Sequence, residues 1–334
     1  MIKVAVLGAG TMGSVHAEAY SKMKNTQLVG IVDIRKSIGL SVAERVNTTL
    51  YSSVDEMLEK ENPDVVDICL PTYLHREYVE RIAKAKKHII CEKPIARTLE
   101  QAREMIEITE REGVKLFIAH VLRFFPEFVR ARELVVNGAI GEVGMVRSMR
   151  GGVFPEAWED WYANYEKCGT LIVDMIIHDF DYLRWCFGEV ERVYAKSQWG
   201  RDFHRMDHAL VTIRFKNGVI AHTEGTWAYP EGFRVELEIA GKDGIIHYDS
   251  DETISIKSSL NASHGASQGV AVPESPLEKN PYELELEHFI ECIKEDKVPI
   301  VTPEDAYKAL EISLAALESV KTGKPVELVG GNLG

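Results

Sequence analysis

The sequence predicts an α/β region with a doubly wound parallel sheet, followed by an α+β region with a large, mostly antiparallel open sheet covered by helices on one face. Up to about Arg123, apolar segments alternate with charged amphipathic helices, as in a parallel sheet covered on both faces. Beyond Gly151, the pattern changes to period-two alternation. The chain has 334 residues, which suits about two domains at ~150 residues each. We therefore expect a first domain over residues 1–123 and a second over 124–334.

The first domain is expected to contain five clear strands, a weaker one over 49–52, and helices in the gaps between them. The strands are Ile2–Leu7, Gln27–Asp33, Val65–Leu70, His88–Cys91 and Lys115–Ala119, and the clearest helices are Ser53–Lys60, Leu74–Lys87 and Leu99–Glu112. Apolar strands that alternate with helices are typical of right-handed βαβ crossovers. This region is therefore predicted to be doubly wound.

The second domain is expected to open with one strongly apolar helix over 171–187 and to continue with alternating strands. Asn217-Gly218 predicts a hairpin turn between two of them. Residues 258–280 are rich in Ser, Ala, Gly and Pro and predict a long loop, either a lid or merely mobile. Two helices, 282–295 and 303–321, end the chain, and we expect the second to pack back toward the first domain.

The composition excludes several classes of function. A net charge of -13 would repel a phosphate backbone, so we expect no nucleic-acid partner. No apolar run approaches the ~20 residues that span a bilayer, so we expect no membrane partner. The five cysteines form no C-x-x-C pair, which favours a reducing compartment, here the cytoplasm, and no metal site.

A glycine-rich turn follows the first strand. Gly8, Gly10 and Gly13, with Thr11 and Met12 inside the motif, form a G-x-G-x-x-G that leads into a predicted helix. Glycines at these positions permit a tight turn and the close approach of a pyrophosphate, which the free N–H groups of the helix N-terminus would bind. The alternative is a glycine turn without a ligand.

Asp33 ends the second strand, twenty residues beyond Gly13. A carboxylate there accepts hydrogen bonds from both adenosine ribose hydroxyls, so the pair of motifs favours NAD. Arg35 leaves NADP open, because a nearby arginine suits a 2'-phosphate.

Two further segments follow parallel strands, where open α/β sheets bind their ligands. Pro71, Thr72 and His75 follow one strand, and Glu92 and Lys93 follow the next. A surface lysine is usually only solvated, but Lys93 lies between a buried strand and a proline, which holds it in place.

In the apolar helix, Asp174, His178 and Asp181 recur at spacings of four and three and share one face. A histidine with a carboxylate one turn away suits acid/base chemistry near neutral pH. A structural His–Asp pair explains the same pattern.

Together these residues resemble the Gfo/Idh/MocA oxidoreductases. The resemblance rests on Gly8 to Gly13, Glu92-Lys93-Pro94 and Asp174-x-x-x-His178-x-x-Asp181, and extends to Pro71-Thr72-x-x-His75, Arg123-Phe124-x-Pro126 and the closing helix. It covers nearly the whole chain and implies a Rossmann domain followed by a substrate-binding and oligomerisation domain. One departure is Cys168-Gly169-Thr170, where many relatives have a run of glycines.

The resemblance also implies site residues. Lys93, Asp174 and His178 occupy the positions of the family's catalytic triad, with Lys93 and His178 handling the hydroxyl proton while hydride passes between nicotinamide and a carbinol carbon. By family analogy, Arg123, Trp158, Trp227 and Tyr282 lie near the substrate, although each could equally be a core or dimer contact.

The function expected from this resemblance is an NAD-dependent dehydrogenase of a cyclitol, sugar or sugar derivative, with EC class 1.1.1. Alternatives are an NAD-dependent glycoside hydrolase that oxidises its substrate transiently, and a noncatalytic NAD-binding sensor. We expect a homodimer or homotetramer through the open sheet, because a broad face carrying Trp227 and the neighbours of Leu237 would be poorly suited to water.

Overall fold

A computed structural model describes residues 1–198, 207–253 and 280–328. The chain divides into two compact units, the first formed by Met1–Phe124 and Glu274–Tyr307 and the second by Phe125–Pro273 and Lys308–Gly334. The predicted loop over 258–280 lies outside the described residues except for Asn280, which begins a helix: its side chain accepts a hydrogen bond from the Tyr282 N–H at 2.9 Å.

The first unit contains the predicted parallel sheet. Within the described residues it has six strands in the order β3-β2-β1-β4-β5-β6, all of them parallel. The strands are β1 (Ile2–Leu7), β2 (Thr26–Val32), β3 (Leu50–Tyr51), β4 (Val65–Ile68), β5 (His88–Glu92) and β6 (Leu116–Ala119). The doubly wound prediction is therefore confirmed, and the carboxyl ends of β1, β4 and β5 lie side by side at one edge.

The second unit contains the predicted mostly antiparallel sheet. In the described part of the chain its order is β12-β11-β7-β10-β9-β8-β13, and only the β7–β10 pair is parallel. The strands are β7 (Val143–Val153), β8 (Val190–Gln198), β9 (His208–Phe215), β10 (Ile220–Thr226), β11 (Ala228–Gly241), β12 (Ile245–Asp249) and β13 (Val326–Glu327). The predicted fold class is therefore confirmed for this unit as well.

Helices complete both units. They are α1 (Thr11–Lys22), α2 (Lys36–Arg45), α3 (Val54–Glu61), α4 (His75–Lys84), α5 (Leu99–Glu112), α6 (Pro126–Val136), α7 (Tyr165–Cys168), α8 (Thr170–Asp174), α9 (Ile177–Phe187), α10 (Ser250–Thr253), α11 (Pro281–Lys294) and α12 (Pro303–Thr322). Among the described helices, none combines the length and the apolar character needed to cross a bilayer.

Helix α11 belongs to the first unit although it is distant in sequence from the parallel sheet. Its residues Leu286, Phe289 and Ile290 are buried in one cluster with side chains of β1 and α1. The rings of Phe117 on β6 and Phe289 have their centroids 5.0 Å apart. Burial of such large apolar side chains removes ~1.5–3 kcal/mol each of unfavourable hydration, so α11 contributes substantially to the core of the first unit.

The first turn of α12, as far as Tyr307, also belongs to the first unit. The Arg103 guanidinium lies over the Tyr307 ring at 4.2 Å, and Arg103 forms an ion pair with Glu304 at 3.2 Å. The rest of the helix belongs to the second unit, and its packing toward the first unit stays a prediction.

Strand β7 lies near the centre of the second sheet, but the sequence did not predict it. Its inward positions include Val146, Ser148 and Arg150, all buried. Because two of these three are polar, the apolar alternation that marks β9 and β11 is missing here. Strand β8 was not predicted either.

The single helix predicted over 171–187 is wrong, because the structure has two helices there, α8 and α9. The Ile176 N–H bonds to the Leu171 carbonyl five residues back at 3.0 Å, and Met175 lies between the two helices. An i to i−5 bond closes a wider ring than an α-helical bond and ends the regular ladder.

Candidate active site

The turn after β1 depends on its glycines. Gly8 has a φ of +95°, and a Cβ there would lie 2.5 Å from the Cys69 carbonyl oxygen. A Cβ on Gly13 would lie 1.9 Å from the Gly8 carbonyl oxygen. Neither position tolerates a side chain, so the turn and the first turn of α1 pack directly against each other.

The N-terminus of α1 faces this turn. Gly10 is the N-cap and makes no side-chain capping bond, so the helix leaves its first N–H groups for an external acceptor. Among the described residues, a Cβ on Gly10 would meet a single atom within 4 Å beyond its chain neighbours, the Arg35 Nη2 at 4.0 Å. Donor groups beside open space are what an anionic pyrophosphate requires.

Asp33 lies just after β2, beside the glycine turn. Its Oδ2 accepts from the Ala9 N–H at 2.7 Å, and its Oδ1 accepts from the Arg35 N–H at 2.7 Å. Burial opposes ionisation, but the hydrogen bonds from the Arg35 side chain and from the two backbone N–H groups lower the pKa of Asp33. The carboxylate is therefore ionised at neutral pH.

The Arg35 side chain occupies the remaining acceptor positions of Asp33. Its Nε donates to Oδ1 at 3.0 Å and its Nη2 donates to Oδ2 at 2.7 Å. With the two backbone donors this makes four bonds, which fill the roughly four lone-pair positions of a carboxylate. A ribose hydroxyl can therefore reach Asp33 only when the guanidinium moves aside, a competition that the sequence did not reveal.

The segment after β4 contains Pro71, Thr72 and His75. Pro71 is the N-cap of a short 3-10 helix, and Thr72 is buried within it. His75 is fully buried, with its ring nitrogens 2.8 Å from the Leu70 oxygen and 2.9 Å from the Pro94 oxygen. Burial lowers its pKa. His75 thus fixes two strand-end segments to each other, and any role in cofactor binding stays a prediction.

Glu92 and Lys93 follow at the end of β5. The Glu92 Oε2 accepts from the Lys93 backbone N–H at 3.0 Å, and a cis peptide bond joins Lys93 to Pro94. Burial opposes ionisation of Glu92, but His16 and Lys93 lower its pKa. The lysine therefore extends from a turn whose backbone is held by a buried carboxylate.

Sequence reasoning missed the partner of Glu92. His16, on the first helix, lies with its Nε2 3.3 Å from the Glu92 Oε1 and its Nδ1 2.9 Å from the Asp67 Oδ2. The Asp67 Oδ2 also accepts from the Tyr20 hydroxyl at 2.8 Å. A charged residue inside the apolar strand β4 was the signal in the sequence that could have found this cluster.

Ligand atoms of His16, Asp67 and Cys69 all lie within 4.8 Å of one another. The His16 Nδ1 and the Asp67 Oδ2 are joined by a direct hydrogen bond of 2.9 Å, and the Cys69 thiol donates to the Asp67 Oδ1 at 3.4 Å. We therefore interpret the three residues as a hydrogen-bonded network and not as a metal centre.

In the second unit, Asp174 is the last residue of α8, and His178 lies in the first turn of α9. Asp174 is 9% exposed and Asp181 is 1% exposed, whereas His178 is partly exposed. Five apolar residues of this segment are fully or nearly buried: Ile172, Ile176, Phe180, Leu183 and Phe187. The histidine is thus held by a segment whose neighbouring residues are almost entirely core.

Several contacts fix α8 and α9 to their own sheet. A Cβ on Gly225 of β10 would lie 2.5 Å from the Ile176 Cγ2 and 2.6 Å from the Leu171 Cδ1, so the helices approach the strand closely. Arg150 on β7 forms a buried ion pair with Asp179, with Nε 2.8 Å from Oδ2. These contacts fix the backbone on either side of His178.

Asp207 supports the start of α8. Its Oδ2 accepts from the Leu171 N–H at 3.4 Å. Burial raises the pKa of Asp207 to about 6, against the lowering effect of its hydrogen bonds.

The residues assigned to substrate by analogy are distributed over both units. Arg123 is buried and donates to the Ile300 carbonyl at 2.8 Å and to Asp305 at 3.3 Å, which accounts for its burial without a substrate. Tyr282 is 7% exposed in α11, and Trp227 is 5% exposed. Trp158 is 38% exposed and begins a short 3-10 helix. Of the four, Trp158 presents the largest exposed fraction to a ligand.

Two family models match the chain. Residues 2–120 match the model described as an oxidoreductase family, NAD-binding Rossmann fold, and residues 132–328 match the C-terminal alpha/beta domain of the same oxidoreductase family. The chain belongs to the Gfo/Idh/MocA oxidoreductase family. The family resemblance predicted from the sequence is therefore confirmed.

Relatives of this Gfo/Idh/MocA chain match along almost its whole length. A myo-inositol 2-dehydrogenase of Thermotoga maritima is 31% identical over 335 residues, covering 98% of each chain. A scyllo-inositol 2-dehydrogenase (NAD(+)) of Bacillus subtilis is 29% identical, covering 98% of this chain and 96% of the relative. The crystal structure of GenD2 from gentamicin A biosynthesis, in complex with NAD, has a TM-score of 0.88 at 26% identity, covering 98% of this chain and 97% of that one.

The first unit of this Gfo/Idh/MocA protein has the structure that an NAD-binding Rossmann fold requires. Its glycine turn leaves no space for side chains at Gly8 and Gly13, its first helix has an uncapped N-terminus, and its second strand ends at an ionised carboxylate. The residues therefore fit NAD, and the cofactor predicted from the sequence is confirmed at the level of the family.

Proposed function

We propose that this protein is an NAD-dependent dehydrogenase that oxidises a carbinol carbon of a cyclitol, sugar or sugar derivative, or reduces the corresponding ketone. The observation that carries the proposal is the position of Lys93. It follows β5, and β5 is separated from β1 and its glycine turn by β4 alone. Neighbouring strands lie ~4.8 Å apart, so the two strand ends are about 10 Å apart at the edge where such sheets bind ligands.

The substrate class comes from the relatives. Inositol 2-dehydrogenases recur among them, together with a D-glucoside 3-dehydrogenase of Escherichia coli. All these names describe oxidation of a ring that carries several hydroxyl groups. We therefore assign this chain a polyhydroxylated ring, with one secondary hydroxyl as the group that reacts.

Bound NAD supplies a nicotinamide ring that accepts a hydride, the C–H hydrogen with its electron pair. The hydroxyl proton leaves to an imidazole nitrogen of His178, because imidazoles ordinarily take up and release protons near neutral pH. The Lys93 ammonium donates a hydrogen bond to the same substrate oxygen and stabilises its developing negative charge. Asp174 orients this pair. The products are a ketone, a reduced cofactor and one proton.

The first test is a substrate panel. Cyclitols, aldoses, uronates and amino sugars are incubated with NAD, and reduced nicotinamide is measured by its absorbance. We expect at least one cyclitol or sugar to give one reduced cofactor for each ketone formed. A glycoside hydrolase that recycles its cofactor would instead release product without net reduction of NAD, and a noncatalytic sensor would bind NAD without turnover on any compound.

The second test removes the proposed catalytic side chains. Lys93→Ala and His178→Ala should each lower turnover by at least ~100-fold, the usual range for a group that transfers a proton or stabilises charge. NAD affinity, measured by titration calorimetry, should stay close to that of the unmodified protein because the glycine turn and Asp33 are untouched. For His178→Ala, turnover should recover in part at high pH, where hydroxide accepts the proton.

Lys84→Ala is the matched control, because it removes an exposed lysine of the first unit that is paired with Glu80 one turn away. It should leave turnover unchanged. Near-normal turnover of either proposed catalytic variant would exclude the assigned roles. Loss of NAD binding in Lys93→Ala would show that Lys93 is a cofactor ligand and that His178 handles the proton alone.

We also propose that the open face of the second sheet joins copies of this chain into a dimer or tetramer. The expectation that Trp227 lies on this face is wrong, because Trp227 and Leu237 are buried. Within the described residues, the exposed large apolar side chains on the strands of this sheet are Met145, Val153, Leu210, Ile220 and Ile245. Light scattering should report a mass above the 37.6 kDa of one chain, and Leu210→Lys should lower it. A monomer at micromolar concentration would contradict the proposal.

We place the enzyme in the cytoplasm. All five cysteines lie outside disulfide bonds, and three of them are buried: Cys91, Cys168 and Cys292. Buried cysteines that form no disulfide are typical of proteins in reducing compartments. Fractionation of the source cells should recover the protein with the cytosolic fraction.

A further inference from the structure

A buried network of ionisable groups lies inside the first unit, beside the turn that carries Lys93. Its centre is His16 on α1, which is fully buried. The His16 Nδ1 lies 2.9 Å from the Asp67 Oδ2 on β4, and its Nε2 lies 3.3 Å from the Glu92 Oε1 on β5. Each ring nitrogen therefore faces a different buried carboxylate.

A buried carboxylate on each side of the ring favours a protonated His16, in which Nδ1 is hydrogen-bonded to Asp67 and Nε2 lies at ion-pair distance from Glu92. A neutral imidazole carries one N–H, so one of its nitrogens would turn a lone pair toward a carboxylate oxygen. An imidazolium donates from both nitrogens and also neutralises charge that is costly to bury. Burial opposes the charge, but the neighbouring Asp67 carboxylate raises the pKa of His16 well above its ordinary value. The two arguments agree.

Other ionisable groups surround the ring. Tyr20, one turn along α1, donates to the same Asp67 oxygen as His16. The Cys69 Sγ lies 3.4 Å from the His16 Nδ1, and burial raises the pKa of this thiol, which keeps it neutral. Glu285, buried in α11, acts on Tyr20 electrostatically. Lys93 is the second cation, and its charge favours the ionised form of the Glu92 carboxylate.

We infer that His16 is a positioning residue for Lys93, an inference that rests on the role proposed for Lys93 above. Glu92 connects the two residues: one of its oxygens faces the His16 imidazolium, and the other accepts from the Lys93 backbone N–H at 3.0 Å. Because His16 lies on the helix that begins at the glycine turn, it also links the lysine turn to the cofactor turn. His16 thereby fixes where Lys93 leaves the sheet relative to the nicotinamide cofactor.

The first measurement is made on the unmodified protein and uses a variant only to assign the signals. Histidine-selective nitrogen-15 NMR separates neutral from protonated rings, and the His16 signals are assigned by their loss in His16→Gln. We expect both ring nitrogens of His16 to remain protonated at pH 8 in the unmodified protein. A neutral His16 ring at that pH would overturn the inference.

The second measurement compares two variants of the same network. His16→Ala removes the link to Glu92, and His16→Gln retains one donor. Tyr20→Phe is the matched control, because it removes a hydrogen bond to Asp67 and leaves the His16–Glu92 contact in place. All three are assayed for NAD affinity, kcat, KM and thermal stability.

We expect His16→Ala to lower kcat by about 10-fold to 100-fold, the effect of misplacing a reacting group by a fraction of an ångström to an ångström. The KM and NAD affinity should change by less than about threefold, within ~0.7 kcal/mol. His16→Gln should recover part of kcat, and Tyr20→Phe should affect thermal stability but not kcat. Equal loss of kcat in Tyr20→Phe and His16→Gln would show a merely structural role and overturn the inference.

The outcome for Lys93 separates this inference from the proposed function. If Lys93→Ala keeps near-normal turnover, the proposed role of Lys93 fails and His16 has nothing to position. If Lys93→Ala abolishes turnover and both His16 variants turn over normally, the proposed function stands and the positioning role of His16 is excluded.

Discussion

The two sheets of this protein place chemical groups in different ways. The parallel sheet is covered on both faces, and every residue of β4 is buried. The polar residues predicted to bind the cofactor therefore lie at or just after the ends of the strands. The second sheet alternates: Val235, Leu237 and Ile239 of β11 are buried, and the residues between them are partly exposed. Its candidate residues Asp174 and His178 lie on helices and not at strand ends. Backbone topology therefore positions the candidate residues of the first unit, whereas side-chain packing positions those of the second unit.

From this contrast we expect the loss of a single side chain to disturb the geometry of the second unit more than that of the first. All five tryptophans, at positions 158, 161, 185, 199 and 227, belong to that unit. Tryptophan fluorescence therefore reports on unfolding of the second unit, while NAD titration reports on the first. The two signals allow the comparison to be tested in the intact chain.

The largest effect is expected from the buried ion pair between Arg150 and Asp179. Both side chains are at most 4% exposed, and the Arg150 guanidinium lies 5.8 Å from the Phe233 ring centroid. Asp179→Ala leaves this guanidinium buried without its carboxylate, which typically costs ~3–5 kcal/mol. Urea unfolding followed by tryptophan fluorescence should show that loss, while NAD affinity measured at low temperature should be retained.

Asp249→Ala is the matched control on the same sheet. Asp249 pairs with Arg234, whose side chain is 34% exposed and which keeps Glu236 and Asp251 as partners. Because the Arg234 guanidinium stays partly solvated and keeps two other carboxylates, Asp249→Ala should cost less stability than Asp179→Ala. Equal losses of unfolding free energy in Asp179→Ala and Asp249→Ala would contradict this prediction. They would show that burial of the Arg150–Asp179 pair does not make it more important for stability than the partly exposed pair.

A smaller, pH-dependent effect on stability is expected at Asp207. Its pKa is shifted in the direction opposite to that of Asp33 in the first unit. In the first unit, Asp33 has a lowered pKa, so its contribution to stability is lost as the pH falls. Burial raises the pKa of Asp207 to about 6, so its folded form binds a proton more tightly than its unfolded form. Its contribution is complete below the unfolded pKa, ~3.9, and is lost as the pH rises through about 6.

Asp207→Asn isolates this contribution because asparagine does not titrate. Unfolding free energies at pH 4.5 and pH 7.5 are compared for the two proteins by tryptophan fluorescence. Relative to the variant, the unmodified protein should lose on the order of 1–3 kcal/mol between these values, from a shift of about two pKa units. A difference between the proteins that does not change with pH would contradict this assignment.

The sequence predicted those features that depend on backbone conformation or on regular alternation. The glycine turn and Asp33 follow from residue type and spacing, and β9 and β11 follow from alternation. The sequence missed features that depend on contacts between distant residues: the pairing of His16 with Glu92, and β7, whose inward positions include Ser148 and Arg150. The break between α8 and α9 was missed for a related reason, because the apolar pattern of 171–187 continues through it.

The smallest effect, about tenfold in affinity, is expected at the edge of the first unit where Asp33 and Arg35 form their ion pair. The Arg35 guanidinium occupies two acceptor positions of Asp33 and lies 4.0 Å from the Cβ position of Gly10. Ribose hydroxyls must displace it, and a hydrogen bond to a charged group contributes ~1.5–3 kcal/mol. Arg35→Ala should therefore strengthen NAD binding by about threefold to tenfold and weaken NADP binding, since the 2'-phosphate loses a cation.

Asp33→Ser should weaken NAD binding by about tenfold and narrow the difference in affinity between NAD and NADP, because it removes the carboxylate that accepts from the ribose and repels the phosphate. Competitive titration of NAD and NADP with the unmodified protein and the two variants measures all six affinities. Equal affinity of the unmodified protein for NAD and NADP would make Arg35 the dominant group at this edge, and unchanged NAD affinity in Arg35→Ala would show that the guanidinium does not compete with the ribose.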